Sequence, residues 1–315
     1  MVKSNVIVER SVRMENQANE KKLGILAGGG AYFLWGCLPV YWKLAGDVSD
    51  LEILAHRILW SFVFMLLLIL VFRKTKSVIG EMSSVLKQPK LTLAITLATL
   101  LISANWFIFI FSVNSNNILS ASMGYYINPI VNVILAMIFL KEKLSNGEKI
   151  AVLSAVIGVV ILTWSQGSIP WPAVCMALTF GLYGLIKKMV QISPWTGLTL
   201  ETMILAPVAL IYLLFFAESS FLSYSTQIDL VLVGAGIVTA IPLLLFAEGT
   251  KRISYTMIGF LQYLAPTLML IMAVTVYDET FTLIQGISFL FIWIALIIYT
   301  ASNLLRAKKN KKATN

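Results

Sequence analysis

Residues 61–72 read SFVFMLLLILVF, and this stretch is the clearest indication of the fold class. It contains no charged side chain, and its polar and apolar residues do not alternate. A strand of a transmembrane barrel alternates lipid-facing and lumen-facing residues, so this run is not typical of one. The apolar run reaches back to residue 52, which makes it long enough for a helix that crosses ~30 Å of hydrocarbon. We therefore predict a transmembrane helix over residues 52–72.

Nine further apolar runs, each bounded by charged or turn-forming residues, extend this pattern along the chain. The ten predicted spans cover residues 23–42, 52–72, 91–113, 118–140, 148–164, 169–187, 198–217, 229–249, 254–276 and 282–304. Of the 315 residues, 58% are hydrophobic and 12% are charged, whereas a soluble domain has about 45–50% and about 25%. This composition excludes a cytosolic enzyme, a nucleic-acid-binding protein and a disordered protein. It predicts an all-α polytopic membrane protein.

The basic residues give these spans an orientation. The chain has 24 Lys and Arg and a net charge of +9. All but Lys43 and Arg57 lie in the two tails and in the even-numbered loops. Because cytoplasmic loops are rich in Lys and Arg, we predict that both termini face the cytoplasm. Residues 1–21 then form a polar cytoplasmic tail without a cleavable signal sequence, and residues 306–315 form a basic one. Because the charge follows the loops, we expect a lipid bilayer and no nucleic acid as partner.

The two halves of the chain resemble one another, with residues 22–165 as a first repeat and residues 166–305 as a second. The correspondences are Leu51-Glu52 with Leu200-Glu201, Trp35-Gly36 with Tyr183-Gly184, and a Pro followed 13 residues later by a Glu at Pro129 and Glu142 and at Pro266 and Glu279. Five helices in each half is an odd number, so the second half enters the membrane from the opposite side. Inverted repeats of this kind are typical of transporters that expose a central site alternately to each face.

Four stretches carry a resemblance to a known family. They are 31-AYFLWGCLPVYWKL-44, 52-EILAHRILWS-61, 121-ASMGYYINPIVNVILAMIFLKEKL-144 and 258-IGFLQYLAPTLMLIMAVTVYDE-279. They resemble RarD proteins, which belong to the EamA-domain family of the drug/metabolite transporter superfamily, and the resemblance covers residues 22–305. It implies ten helices, two EamA repeats and a permease of the bacterial inner membrane. RarD proteins are commonly labelled chloramphenicol-sensitivity or resistance permeases, a label from which the physiological substrate does not follow.

Ionisable side chains within or at the ends of the spans are the candidates for coupling transport to an ion. A charge inside a membrane costs ~2.5–3.5 kcal/mol even on an insertion scale, so such residues favour a functional interpretation. The candidates are Glu52, His56, Arg57 and Glu201. Other interpretations stay open: Ser49-x-x-Glu52 is also a capping box, Arg57 can reach the headgroups, and His56 can be a structural residue. Glu201 has the same capping alternative.

Amides, aromatic rings and prolines in mid-span are the candidates for solute binding. Pro129 and Pro266 are expected to break helices, which is tolerated inside protein or along a water-lined cavity. The solute-binding candidates are Trp35, Asn105, Tyr125, Tyr126, Asn128, Tyr183, Gln262 and Tyr263. Aromatic rings offer broad contact to amphipathic or cationic solutes. The alternative for the amides, Asn132 included, is that they form hydrogen bonds between helices.

These features predict a secondary transporter that moves a small organic metabolite or drug-like solute by alternating access, with proton coupling as a hypothesis. No GxxxxGK[ST] motif is present, so the chain has no phosphate-cradling loop of its own, and no cofactor is expected. The chain has one histidine and two cysteines, Cys37 and Cys175, which argues against a metal site and against a disulfide framework. An enzyme would need a catalytic pair that these residues do not supply. A facilitative channel and a membrane sensor or assembly protein remain as alternatives, and the oligomeric state is left open.

Overall fold

The computed structural model describes residues 2–46, 48–114, 118–165, 171–217, 224–276 and 282–312, and in these ranges the regular structure is helical, with no strand. The helices are α1 (Val2–Trp42), α2 (Asp50–Val71), α3 (Thr75–Leu86), α4 (Pro89–Asn114), α5 (Ile118–Phe139), α6 (Asn146–Trp164), α7 (Trp171–Met189), α8 (Pro194–Phe215), α9 (Thr226–Arg252), α10 (Tyr255–Gln262), α11 (Leu264–Val276) and α12 (Leu283–Lys312). A 3-10 turn, Lys43–Ala45, follows α1. The chain is an all-α polytopic membrane protein.

Eight segments of the described chain are helical, long enough and apolar enough to cross a membrane. They lie in α1, α2, α4, α6, α8, α9, α10 with α11, and α12. Two of the ten predicted spans, those of α5 and α7, are not among them. The apolar part of α5 that qualifies as a shorter helix is Tyr125–Phe139. In α7, Lys187 and Lys188 occupy the last turn and shorten the apolar run.

Helix α3 has no counterpart among the predicted spans. Its 12 residues are too few to cross a bilayer, and a prediction based on long apolar runs does not detect so short a helix. Val78 and Val85 are its buried residues. Val85 packs with Ile95, Ile192 and Leu200, which attaches α3 beside the start of α8.

The two mirrored prolines have different effects on their helices. Helix α5 continues through Pro129, so the break predicted there is absent. The matching span is interrupted at Tyr263, between α10 and α11, three residues before Pro266. A proline has no N–H to donate to the carbonyl four residues earlier, and a helix can either kink at that point or end. The presence of a proline therefore does not determine whether the helix continues or is interrupted.

The chain divides into two compact units, and each draws helices from both predicted repeats. The first unit is Met1–Thr96 with Ile186–Ser254. Within it, α1 and α2 pack against α9, and α2 also packs against α8. The contact of α1 with α9 is close, since a Cβ on Gly249 would lie 2.9 Å from the Cα of Gly28. The Ser61 hydroxyl donates to the carbonyl of Gly236 over 3.2 Å and ties α2 to α9.

The second unit is Leu97–Leu185 with Tyr255–Asn315. Within it, α12 packs against α6, and α5 packs against α10 and α6. The Ser154 hydroxyl of α6 donates to the carbonyl of Phe291 in α12 over 2.8 Å. Helix α6 begins with a complete capping box, in which Ser145 and Glu148 exchange side-chain and backbone hydrogen bonds. These contacts satisfy polar groups that hydrocarbon cannot hydrate.

Candidate functional site

Glu52 lies at the start of α2 in the first unit and is 1% exposed. Ser49 is the N-cap of α2 and accepts the Glu52 N–H over 3.4 Å. The Glu52 carboxylate accepts hydrogen bonds from the hydroxyls of Ser49, at 3.3 Å, and Tyr224, at 3.0 Å. The capping interpretation therefore holds for Ser49, while the carboxylate of Glu52 has a hydroxyl partner from outside its own helix.

His56 lies one turn further along α2 and is buried at 3% exposure. Glu52 and Asp229 are the acidic side chains whose charges act on its imidazole. Asp229 is a buried residue in the first turn of α9. The sequence treats it as a span boundary, and only the packing of α9 against α2 reveals its relation to His56.

Arg57 is half-buried in the first unit, with contacts to α9 and to the end of α1. Its Nε donates to Oγ1 of Thr239 on α9 over 3.1 Å. Its guanidinium carbon lies 4.9 Å from the ring centroid of Trp42, a distance at which a cation and an aromatic face attract. Arg57 thus links α2 to α9 and to the end of α1.

Glu201 forms a buried ion pair in the first unit. Its carboxylate lies 2.7 Å from the Nζ of Lys187, and the two side chains are 4% and 8% exposed. Glu201 is not a cap, because Ser193 caps α8 by accepting the Thr196 N–H. Gly197 leaves room for the lysine, since a Cβ there would lie 3.0 Å from its Nζ. In the sequence, Lys187 is counted with a basic loop. Its partner Glu201 follows 14 residues later, and the sequence does not indicate that the two side chains meet.

Glu81 of α3 joins the same end of α8. Its carboxylate accepts the Ser193 N–H and the Ser193 hydroxyl, each over 2.6 Å, and the Thr196 hydroxyl. Partial burial of Glu81 opposes ionisation, but these hydrogen bonds outweigh it and hold the pKa of the carboxyl below its usual value. Arg252, in the last turn of α9, pairs with Glu248 one turn earlier in the same helix at 3.0 Å and with Glu20 of α1.

A buried amide network occupies the second unit. Asn132 on α5 donates from Nδ2 to Oε1 of Gln262 on α10 over 2.8 Å. The Tyr255 hydroxyl lies 2.6 Å from the carbonyl oxygen of Gly181 on α7 and 3.0 Å from Oδ1 of Asn132. The network joins α5, α7 and α10. Gln262 is a predicted site residue, whereas Tyr255 is visible only once α10 is placed against α5.

The tyrosines among the predicted solute residues all lie in the second unit. Tyr263 donates from its hydroxyl to the carbonyl of Tyr126 over 3.4 Å. Tyr125 faces the ring of Phe109 at a centroid distance of 6.5 Å. Tyr183 is fully buried. The structure thus brings Tyr126 and Tyr263 together on α5 and at the interruption that precedes α11.

Two predicted solute residues have mainly structural contacts. Asn105 donates from Nδ2 to the carbonyl of Met176 over 2.8 Å and to the hydroxyl of Thr179 over 3.2 Å, which is the interhelical alternative. Trp35 belongs to the first unit, where its ring lies 5.4 Å from that of Tyr32 and 5.8 Å from that of Phe246.

Glu142 fixes the start of α10. Its carboxylate accepts the N–H groups of Tyr255, over 2.7 Å, and Thr256, over 3.1 Å. These are orphan donors at a helix N-terminus, where negative charge is favourable. Glu279, the residue that corresponds to Glu142 in the second repeat, lies outside the described residues.

No group of His, Cys, Asp and Glu side chains in the described ranges could hold a metal ion. Cys37 and Cys175 are free thiols. A small open cleft lies in the second unit, between α5, α6 and α10, and includes Pro129, Gly259 and Tyr263 in its lining. Its walls are apolar, so it offers packing space without a polar anchor.

Comparisons with known proteins agree with these features. A family model described as the EamA-like transporter family matches residues 22–164 and again residues 171–301. An "Uncharacterized transporter" of Vibrio cholerae is 43% identical over 95% of this chain and 99% of that protein. "Protein RarD" of Escherichia coli is 39% identical over 94% of this chain and 99% of that protein. A crystal structure at 18% identity shares the fold, with a TM-score of 0.68 over 88% of this chain and 96% of the other. The chain therefore belongs to the EamA-like transporter family and is a RarD-type permease within it.

Proposed function

We propose that this membrane transporter moves a small organic metabolite or drug-like solute across the bacterial plasma membrane by alternating access. In this proposal ten spans form two inverted five-helix repeats, and both termini lie in the cytoplasm. The two successive family matches support the repeats, and the distribution of Lys and Arg supports the orientation.

The observation that carries the proposal is the burial of ionisable side chains inside apolar helices. Glu52, His56 and Glu201 are each at most 3% exposed, and they lie in helices that are long and apolar enough to cross a membrane. Such residues are costly in a membrane and mark ion or solute pathways in transport proteins.

In this proposal Glu52 and His56 exchange the coupling proton. Their surroundings support it, because the hydroxyls of Ser49 and Tyr224 are uncharged partners for Glu52. Because these partners carry no charge, protonation of Glu52 does not leave either of them as a buried ion without a counter-charge. Protonation of Glu201 would leave the ammonium of Lys187 buried without its counter-charge, which is unfavourable. We therefore assign the transfer of the proton to the α2 residues and a structural role to the Lys187–Glu201 ion pair.

The solute in this proposal meets the segments around Tyr126 and Tyr263. These two residues are joined by a hydrogen bond, and each lies three residues before a proline of the mirrored pair. The interruption at Tyr263 resembles the broken helices at which solutes bind in inverted-repeat transporters, and α5, which is continuous, packs against α10. The aromatic rings supply contact area, and nearby amides supply direction.

The test combines solute identification with uptake. A thermal-shift screen of the purified protein against metabolites identifies a solute, and uptake of that solute is then measured in proteoliposomes with and without a pH gradient. We expect the gradient to accelerate uptake by wild type and to have no effect on Glu52→Gln or His56→Ala. Glu148→Gln is the matched control, because Glu148 is also a buried acid near a helix start but completes a capping box.

Two results would contradict the proposal at different levels. Uptake that ignores the pH gradient, with both α2 variants behaving as wild type, would remove proton coupling. Binding of a solute without any uptake would remove transport by alternating access and favour the sensor alternative.

A further inference from the structure

One buried hydrogen-bond acceptor in the second unit lacks a partner in the described part of the chain. Asn128 on α5 is 4% exposed, and its Oδ1 accepts no hydrogen bond there. A buried acceptor left without a donor costs about 1–3 kcal/mol. A cost of this size in a membrane helix requires an explanation.

Neighbouring amides show that the unit can satisfy such groups. Asn132, one turn further along the same face of α5, has both Gln262 and Tyr255 as partners. Asn105 on α4 has Met176 and Thr179. The missing partner at Asn128 is therefore a local property of that position and not of amides in this unit.

The helix that carries Asn128 suggests what the missing partner is. Helix α5 contains no charged residue, and neither does α10, which packs against it. The N-terminus of α10 is a natural anion site, but the carboxylate of Glu142 already accepts its N–H groups. An amide oxygen is an acceptor, so the group that completes it is a donor. Without a counter-charge on either helix, a neutral donor fits better than an ammonium ion.

We propose that Oδ1 of Asn128 accepts a hydrogen bond from a hydroxyl or amide N–H group of the transported solute. The solute is then a molecule with a neutral donor beside an apolar or aromatic body, which suits the ring of Tyr125 three residues earlier on α5. This inference rests on the proposed function, because it names the chemistry of the solute for the site around Tyr126 and Tyr263. Sites that hydrogen-bond a substrate group reject analogues without that group strongly, since the polar atom is left unpaired.

Stability supplies a first test that needs no solute. In the empty protein, Asn128→Leu removes an unsatisfied acceptor, and we expect the melting temperature in detergent to stay level or rise. Asn132→Leu is the matched comparison, because it removes the partner of Gln262 and Tyr255, and its melting temperature should fall. A fall for Asn128→Leu as large as that for Asn132→Leu would show that Asn128 is a structural amide and would overturn the inference.

Ligand binding supplies the second test, with 2-phenylethanol and its methyl ether as probes, because the ether keeps the aromatic body and replaces the hydroxyl donor by a methoxy group. We expect the alcohol to raise the melting temperature of wild type more than the ether does, and to act on Asn128→Leu no more than the ether. Thr256→Val is the control, because the hydroxyl of Thr256 is a second buried group without a hydrogen bond in the described chain and lies in the first turn of α10. This variant should respond as wild type does.

Equal effects of the two probes on wild type, including no effect from either, would overturn the inference. So would an alcohol effect that Asn128→Leu retains. Neither outcome bears on transport itself, which the uptake measurement with a pH gradient decides separately.

Discussion

Glu52 and Glu201 occupy equivalent positions in the two predicted repeats, each preceded by Leu and 149 residues apart. Both are buried in the first unit. Glu52 has the hydroxyls of Ser49 and Tyr224 as partners, whereas Glu201 has the ammonium of Lys187. The repeated Leu-Glu motif therefore places an acid at the same position in each repeat, while the partners of that acid depend on the residues that pack around it.

The largest expected effect is the loss of one partner of the ion pair. Lys187→Met leaves the charge of Glu201 buried, and we expect it to lower the free energy of unfolding by about 3–5 kcal/mol. Thermal unfolding of the purified protein measures this. The double variant Lys187→Met with Glu201→Leu should recover most of the loss, since apolar replacement of a whole buried pair is often neutral. A double variant as unstable as the single one would contradict the pairing.

A smaller effect is expected at the glycine that makes room for the lysine. Gly197→Ala would place a Cβ 3.0 Å from Nζ of Lys187 and 3.3 Å from Cδ1 of Ile192. Overpacking of this kind costs about 1–3 kcal/mol. In a double-mutant cycle with Lys187→Met, the cost of Gly197→Ala should shrink, because the displaced ammonium is gone. Additive effects would show that Gly197 acts independently of the ion pair.

Neutralising Glu52 and Glu201 in turn should lower the stability of the protein by different amounts. Glu52→Gln keeps an oxygen that can accept from Ser49 and Tyr224, so we expect a loss of about 1 kcal/mol. Glu201→Gln strands Lys187 and should cost about 3–5 kcal/mol. The two melting temperatures under identical conditions provide the measurement. Equal losses would mean that the two acids are held in the same way despite their different partners.

The smallest effect concerns the acid that caps the start of α8 from α3. Hydrogen bonds from Ser193 and Thr196 hold the pKa of Glu81 below its usual value. Its contribution to stability is therefore complete above the unfolded pKa of ~4.3 and is lost as the pH falls through the lower folded value. The melting temperature of wild type should exceed that of Glu81→Gln at pH 7, and the difference should shrink below pH ~4. A difference that grows on acidification would reverse the sign of the shift.

Local sequence is sufficient for much of this molecule. Hydrophobicity is a property of each segment, so the apolar runs locate the helices that cross the membrane, and Ser49 is recognisable as a cap from its spacing to Glu52. Contacts between side chains on different helices are harder to predict from the sequence. Lys187 reads as a loop residue, and the relation of Asp229 to His56 depends on how α9 packs against α2. Pro129 and Pro266 have similar sequence surroundings, yet α5 is continuous and its counterpart is interrupted, so the local sequence does not predict which of the two occurs.

The interruption at Tyr263 divides one span into two arms of unequal length. Helix α10 has 8 residues and α11 has 13, so at 1.5 Å per residue the arms measure ~12 Å and ~20 Å. Hydrogen bonds from Asn132 to Gln262 and from Tyr255 to Gly181 attach the short arm to its neighbours. On α11, Thr267 accepts a hydrogen bond from Nε1 of Trp293 on α12 over 3.4 Å. A tilt of ~10° about Tyr263 would move the far end of the long arm by ~3.5 Å. Because the interruption lies off centre in the span, a small rotation there would become a displacement of several tenths of a nanometre at the far end of α11.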